Sequence, residues 1–357
     1  MKILFLGDAH SIHFIRWVRF FAARGHEVHA WSAEPPKEGF PGYHRLFPRL
    51  PFRPLNYLSL VRELKNQIAK LGPDLVNAHF VPNYGFIAAL ASARPLAITT
   101  WGSDVLLSPH KSFLHKWRAS CSLSKADLVL ADSKVSSLEV LYLGVNKNKL
   151  LTRPMGVERA FIQEGEKKLL SNSKEMLTIL SCRRLEKLYN VETLIRALAR
   201  LKNHPNWRAI IVGIGSQKRK LEHLATRRGI ANRISFLGEL SVADYRKVML
   251  EADIYVSTAL SDSTSVSLLE AMACKLACVT TEIPGNSEWI TVMENGLTFV
   301  PKNDEMLAFL LGKLLDDSEL RLRLGERAFE RVATRAVWEE NMADVEEAFM
   351  KLSAKHK

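Results

Sequence analysis

The sequence predicts an α/β chain made of two doubly wound domains, each a parallel sheet with helices on both faces. Three observations carry this. Strand-length apolar runs alternate with helix-length amphipathic stretches from one end of the chain to the other. The runs are rich in Val, Ile and Leu with little polar alternation, the pattern of strands buried on both faces. They number about five in each half, which fits two sheets better than one large one.

In the first half the strands are KILFLG (2–7), EVHAWS (27–32), DLVNAHF (74–80), LAITTW (96–101) and LVLADS (128–133). In the second they are LTILSC (177–182), RAIIVG (208–213), ISFLGE (234–239), DIYVST (253–258) and ACVTT (277–281). The polar stretch EGEKKLLSNSKE (164–175) reads as the linker, giving domains at 1–170 and 171–335. The closing section, 336–357, holds AVWEENMADVEEAFMKL, whose apolar spacing suits a helix that can pack back on the first domain. Doubly wound sheets bind ligands outside the carboxyl ends of their strands. Functional residues are therefore expected just after each strand, with the ligand in a cleft where the two domains face each other.

Composition narrows the class. The chain has 357 residues, 47% hydrophobic and 25% charged, which is ordinary for a globular protein. No apolar run reaches the ~18 residues of a membrane-spanning helix. The opening MKILFLGDAHS is too short in apolar residues for a signal peptide and reads as a strand ending at Gly7. Four cysteines (Cys121, Cys182, Cys274, Cys278) are too few for a disulfide scaffold, so a reducing cytoplasm is expected. Cys274 and Cys278 have no His or Cys partner nearby in sequence, and no metal site is expected there.

The net charge of +12 is uneven. Residues 1–170 carry 23 Lys and Arg against 13 Asp and Glu, whereas residues 171–357 carry 27 against 25. A basic first half calls for an anionic partner: a membrane surface, a polyanion or a phosphorylated substrate.

The strand ends supply the chemistry. After strand 177–182, Arg183, Arg184 and Lys187 place three cations within five residues, which suits a diphosphate. After strand 208–213, Gly213 and Gly215 would let backbone approach a ligand, and Ser216 could cap the next helix. The third glycine of a dinucleotide fingerprint is missing, so a nicotinamide or flavin is not indicated and no cofactor is expected. After strand 234–239, Gly238 permits a tight turn beside Glu239, where backbone could read a base edge.

After strand 253–258 comes LSDSTSVSLLEAMA (260–273). Asp262 lies in the loop, and Thr264 or Ser265 can cap the helix that carries Glu270. The amides of Thr264, Ser265, Val266 and Ser267 form a helix start, a natural phosphate site. Glu270 is too apolar in its neighbours for a plain surface acid and suits hydrogen bonds from a ribose diol. In the first half, Gly7 is followed by His10 and His13, strand three ends at His79, and strand four runs into Trp101, Ser103 and Asp104. No Asp-x-Asp pair occurs, so a divalent metal held by paired aspartates is not expected.

With these residues in place, the chain resembles glycosyltransferase family 4, the retaining enzymes of the two-domain GT-B fold. The resemblance covers nearly the whole chain. It rests on GHEVHAWS (25–32), PDLVNAHF (73–80), WGSDV (101–105), PMGVE (154–158), VETLIRAL (191–198), VGIGSQKRKLE (212–222), FLGEL (236–240), LLEAMA (268–273) and ENGLTF (294–299). It implies transfer of a sugar from a nucleoside diphosphate sugar to a glycan or lipid-linked acceptor. It implies that Glu270 holds the ribose and Asp262, standing where the family has Glu, contacts the donor sugar. Arg184 matches the family's diphosphate-binding Arg, whereas the Lys position holds Tyr189 and the Gly after it is Asn190. Lys187 is two positions early, so the missing charge falls to Lys187 or Arg183. The family's His before Gly102 is Trp101 here, which moves that role to His79 or His10. The glycine usual after the EAMA helix is Lys275, at a position where a left-handed cap would cost a non-glycine residue on the order of 1 kcal/mol.

By the same resemblance the first domain takes the acceptor, with His10, His13, Trp101, Ser103 and Asp104 on that side. Two stretches there are basic and aromatic. HFIRWVRFFAAR (13–24) reads mainly as core. FPGYHRLFPRLPFRPLNYL (40–58) holds too many prolines for one regular helix and reads as a loop that could dock on anionic lipid. A cytoplasmic enzyme, peripheral at the inner face of the cell membrane, is the expectation. Two rival classes remain: a sugar-nucleotide epimerase of similar fold, and a nucleic-acid binder suggested by charge alone. The second lacks the aromatic strand face or helix-turn-helix pattern such proteins use, so no nucleic acid is expected.

Overall fold

In the computed structural model the described residues are 1–33, 36, 42–45, 53–171 and 174–356, with residues 45 and 53–58 described in backbone only. The chain divides into two compact units. One is Met1–Pro154 together with Met342–Lys357, and the other is Met155–Asn341.

The first unit is built on seven parallel strands: β1 (Lys2–Leu6), β2 (Glu27–Ser32), β3 (Tyr43–Arg45), β4 (Leu75–His79), β5 (Leu96–Thr99), β6 (Leu128–Ala131) and β7 (Leu150–Thr152). Their order is β3-β2-β1-β4-β5-β6-β7. The second unit has β8 (Leu177–Cys182), β9 (Trp207–Val212), β10 (Ile234–Gly238), β11 (Ile254–Ser257), β12 (Ala277–Thr281) and β13 (Leu297–Phe299), in the order β10-β9-β8-β11-β12-β13. All the pairings are parallel. The central strands are buried along their whole length, as runs without polar alternation require. Strand order reverses between β1 and β4 in one sheet and between β8 and β11 in the other, and a doubly wound sheet receives its ligand beside such a reversal.

The ten strands expected from the sequence are all present within a residue or two at their ends. Three short ones, Tyr43–Arg45, Leu150–Thr152 and Leu297–Phe299, were not expected. Each is three residues long and lies at or beside a sheet edge, too short to show a periodicity.

The crossing between the units lies at Pro154/Met155, not at the expected boundary of 170. The reason is packing. The helix Arg159–Glu166 sends Phe161 and Ile162 into the core formed with Tyr255, Leu268 and Met272 of the second unit. Gly165 on that helix lies so near Ala273 that a Cβ would stand 1.8 Å from its carbonyl oxygen. The supposed linker thus begins inside a docked helix, which runs to Glu166. At the other end, the helix Trp338–Ala354 contributes its residues from Met342 onward to the first unit. There Phe349 stacks on Phe21 at 5.4 Å, and Glu346 accepts from Arg24 at 3.0 Å and bonds His26 at 2.7 Å.

The helix Ile12–Ala23 buries Phe14, Ile15, Trp17, Val18 and Phe21, so its aromatic run is core. The stretch 40–58 is not all loop: a helix, Arg53–Leu71, begins inside it. Pro54 sits in that helix's first turn, where its missing N–H has no intrahelical partner to lose. The stretch's remaining residues, other than 42–45, lie outside the described ones. Asn190, in the family's glycine position, has φ +48°, and Lys275 after the EAMA helix has φ +57°. The backbone keeps the left-handed turn at both places with a non-glycine residue in it.

Candidate functional site

The second unit gathers its polar groups at the β8/β11 reversal. Arg183 follows β8 directly. Its Nη2 donates to Asp262 Oδ2 and its Nη1 to Ser265 Oγ, with a second bond to Ser267 Oγ at 3.2 Å. The guanidinium lies 4.4 Å from the centre of the Tyr189 ring, a cation–π contact. The Arg183 side chain is 9% exposed and that of Asp262 19%. Burial works against the guanidinium's charge, but Asp262 more than restores it, and its pKa stays above the ordinary value. The resulting cation is fixed on four sides at the mouth of a helix.

That helix is Val266–Ala273. Of the two candidate caps, Thr264 and Ser265, Ser265 is the one used: its hydroxyl accepts from Leu268 N at 3.4 Å. Asp262 precedes it in the loop, with Oδ1 accepting from Ser263 N at 3.0 Å. Glu270 lies one turn in, half-buried, and Tyr245 Oη donates to its Oε2 at 2.6 Å. Burial first, and then the charge of Glu270, push the Tyr245 phenol well above its ordinary pKa, so it remains an O–H donor. Tyr255 hydrogen-bonds Ser267 Oγ at 2.7 Å. None of the three tyrosines was expected in these contacts. Tyr189 carried a signal, since it stands where the family has Lys; Tyr245 and Tyr255 carried none.

The glycines after β9 act differently from expectation. A Cβ on Gly213 would meet Arg183 O at 2.2 Å, and one on Gly215 would meet Leu185 O at 2.4 Å. The close approach they permit is to the chain's own turn after β8. Gly238 has φ +71° and its carbonyl accepts from Gly213 N at 2.8 Å; Glu239 beside it is exposed. Ser216 does not cap the helix Lys218–Arg227, whose N-cap is Gln217. Its hydroxyl and amide instead bond Glu186 at 2.6 and 2.9 Å, which holds that carboxyl below its usual pKa. Arg184 and Lys187 are exposed. Thr264 is buried, and Val266 and Ser267 are half-buried.

In the first unit His79 ends β4 and is 2% exposed. Rings of Trp17, Phe14 and Trp101 surround it at 5.0, 5.1 and 5.5 Å, and neither ring nitrogen has a hydrogen-bond partner. Burial lowers its pKa to about 3, so it is neutral at physiological pH. His13 lies 5.6 Å from the Trp101 ring. Asp104 is fully buried and accepts from the amides of Trp101 at 2.8 Å and Val81 at 3.0 Å. Burial pushes its pKa up to about 6. Its carboxylate is thus spent on backbone, where an acceptor-facing group was expected. Gly7 packs on Phe14, with 2.3 Å between its Cβ position and that ring. His10 and Ser103 are exposed.

Among the described residues no three His, Cys, Asp or Glu side chains converge to hold a metal, and no helix is long and apolar enough to cross a membrane. The cysteines are free, and all but Cys121 are buried.

Residues 162–331 match the family described as Glycosyl transferases group 1, and residues 2–133 match Glycosyl transferase 4-like. The chain belongs to glycosyltransferase family 4. EpsD of Bacillus subtilis (strain 168), a glycosyltransferase by name, is 26% identical over 100% of this chain and 99% of that protein. TuaC of the same organism, by name a teichuronic acid biosynthesis glycosyltransferase, is 25% identical over 76% of this chain and 70% of its own. The uncharacterized glycosyltransferase MJ1607 of Methanocaldococcus jannaschii matches over 62% of this chain and 55% of that protein, so this chain spans about half of that relative's length. Among solved structures, Anabaena Alr3699/HepE in complex with UDP superposes with a TM-score of 0.81 at 20% identity, covering 98% of this chain and 100% of that one. The same protein is also solved with UDP-glucose. The fold of this family 4 chain is GT-B, two parallel-sheet α/β domains.

Proposed function

We propose that this glycosyltransferase moves a sugar from a nucleoside diphosphate sugar to a glycan or lipid-linked acceptor, in the synthesis of cell-surface polysaccharide or glycolipid. One observation carries the reading. A buried guanidinium, a helix start and a carboxylate one turn further on lie in a row at the β8/β11 reversal. In this reading Glu270 takes the ribose diol. Arg183 and the amides of 264–267 take the diphosphate, with Arg184 and Lys187 adding exposed positive charge. Asp262 serves the sugar. Gly213, Gly215 and Gly238 shape the turns beside the base, with Glu239 exposed next to them.

Fixed cations and helix amides stabilise the leaving diphosphate electrostatically, which needs no metal. Configuration is retained at the sugar carbon. The acceptor side is formed by the first unit's strand ends, with His10, His13 and Ser103 near them and Trp101 packed on a neutral His79. His79 shapes that end rather than moving protons at neutral pH, because its pKa is lowered to about 3.

A lipid-linked acceptor would bring the enzyme to a membrane, at the cytoplasmic face. The helix Phe113–Ser124 presents Phe113, Leu114 and Trp117 at 85%, 60% and 49% exposure, next to exposed Lys111 and Lys116. From Val105 to Ala126 the sequence holds no acid. Exposed aromatics among cations suit an anionic bilayer surface.

A thermal-shift screen against UDP, GDP, ADP and their sugars tests the donor reading. The expected result is a rise in melting temperature with one nucleotide series, UDP first, and its loss in Glu270→Ala. Full stabilisation in that variant refutes the ribose role. Turnover of a nucleotide sugar to its epimer without acceptor would favour the epimerase instead.

A further inference from the structure

Arg183 is a cation in a place that is already positive. Its guanidinium bonds Ser265, the N-cap of the helix Val266–Ala273, and Ser267 in that helix's first turn. A helix start carries unpaired N–H groups and about half a positive charge. Burying a guanidinium against it is unfavourable unless an anion shares the site. Asp262 is that anion, on Nη2. It is a single carboxylate facing a guanidinium and a helix end together. The Nε of Arg183 is buried and has no hydrogen-bond partner. The site is therefore under-supplied with both negative charge and acceptors.

The two partners are not equally fixed. Arg183 is held by two hydroxyls and the face of Tyr189. Asp262 is twice as exposed, at 19% against 9%, and sits in a loop, where its other oxygen bonds only the next residue's amide. Of the two, the carboxylate is the one that can turn away.

We propose that Asp262 is the resident counter-ion of a diphosphate subsite centred on Arg183. The diphosphate of a nucleoside diphosphate sugar displaces the carboxylate from the guanidinium and takes over its charge. The released Asp262 turns toward the sugar. The sugar-facing acid thus becomes available only when a diphosphate is in place. This rests on the donor reading above, and it adds an exchange of anions on a residue that stands outside the family's Arg and Lys positions.

The exchange has an unusual sign. Removing the charge of Asp262 removes the diphosphate's competitor, so the variant binds the nucleotide more tightly while losing transfer. The experiment is calorimetric titration of the full-length protein with UDP at fixed low salt, on wild type, Asp262→Asn, Arg183→Met and the double variant. Expected is a three- to tenfold tighter UDP affinity in Asp262→Asn, an affinity at least tenfold weaker in Arg183→Met, and no gain from Asp262→Asn in the Arg183→Met background. Equal or weaker binding by Asp262→Asn overturns the exchange, and so does a gain that persists without Arg183, which would be simple repulsion. Asp262→Ser, read the same way, guards against a fold defect peculiar to the amide. If wild type binds none of UDP, GDP and ADP, the donor reading falls and the exchange with it. If wild type binds and only the gain is missing, the exchange alone falls.

Discussion

Arg183 and Asp262 form an ion pair across the start of the helix Val266–Ala273, although 79 residues separate them in sequence. The pair brings the turn after β8 to the loop after β11, and Tyr189 closes it from the side at 4.4 Å. Tyr189 occupies the family's Lys position. One cation has been replaced by an aromatic platform, and another, six residues earlier, lies on that platform.

On the proposed donor reading the family's charge is moved to Arg183 rather than lost, and moving it back tests this. Arg183→Ala should weaken UDP binding at least tenfold. Adding Tyr189→Lys should recover most of that loss, since the new ammonium starts from the ring position that faced the guanidinium. Titration of the single and double variants decides it. No recovery in the double variant would mean that Tyr189 does not face the diphosphate.

Tyr245 helps to orient Glu270, its phenol donating to the carboxylate at 2.6 Å. Tyr245→Phe removes one hydrogen bond and keeps the ring. A loss of about 1 kcal/mol in nucleotide binding, roughly fivefold in affinity, is expected with little change in kcat. A change in kcat with unaltered affinity would place Tyr245 elsewhere in the reaction.

The sheets were legible in the sequence because their strands are continuous apolar runs, as in LTILSC (177–182) and LVNAH (75–79). The edge strand Tyr43–Arg45 was not, since three residues with His44 among them show no period. Spacing cannot say which of Arg183 and Lys187 turns inward; in the fold Arg183 is 9% exposed, whereas Lys187 is on the surface. Asp104 misled for the same reason. A polar residue at a strand end can face a ligand or its own backbone, and two amides at 2.8 and 3.0 Å claim this one.

Gly285 was passed over in the sequence and governs the Asp262 loop. A Cβ there would stand 2.0 Å from Ser263 O and 2.4 Å from Asp262 O, closer than any side chain tolerates. Gly285→Ala must push the loop away and with it the carboxylate. Transfer activity should fall at least tenfold, with a melting temperature lower by several degrees. Unchanged activity would show that the loop yields without moving Asp262.

The helix Phe113–Ser124 gives the membrane proposal a surface to test. Phe113→Ser with Trp117→Ser removes the two exposed rings and leaves every cation in place. Flotation with vesicles rich in phosphatidylglycerol at low salt should recover wild type and lose most of the variant. Lys111→Glu with Lys116→Glu should lose binding more completely, and the wild type should detach as salt rises. Equal flotation of all three proteins would assign the contact to another surface.

His79 and Asp104 are buried in the same unit with opposite effects on stability. The folded pKa of His79 is lowered from 6.5 to about 3, so its imidazole is neutral in the fold and protonates more readily in the unfolded chain. Its contribution is whole above pH 6.5 and is lost as pH falls, by up to about 1.4 kcal/mol per unit. Asp104 is raised from 3.8 to about 6, so the folded state holds its proton more tightly. Its contribution is whole below pH 3.8 and is lost as pH rises toward 6. Between pH 4 and 6 the two slopes oppose each other. Relative to wild type, His79→Phe should therefore gain stability steadily as pH falls through that window, and Asp104→Asn should lose it. Urea unfolding at pH 4, 5, 6 and 7 measures both differences. Curves that stay parallel to wild type would mean that neither group is held in the charge state its burial imposes.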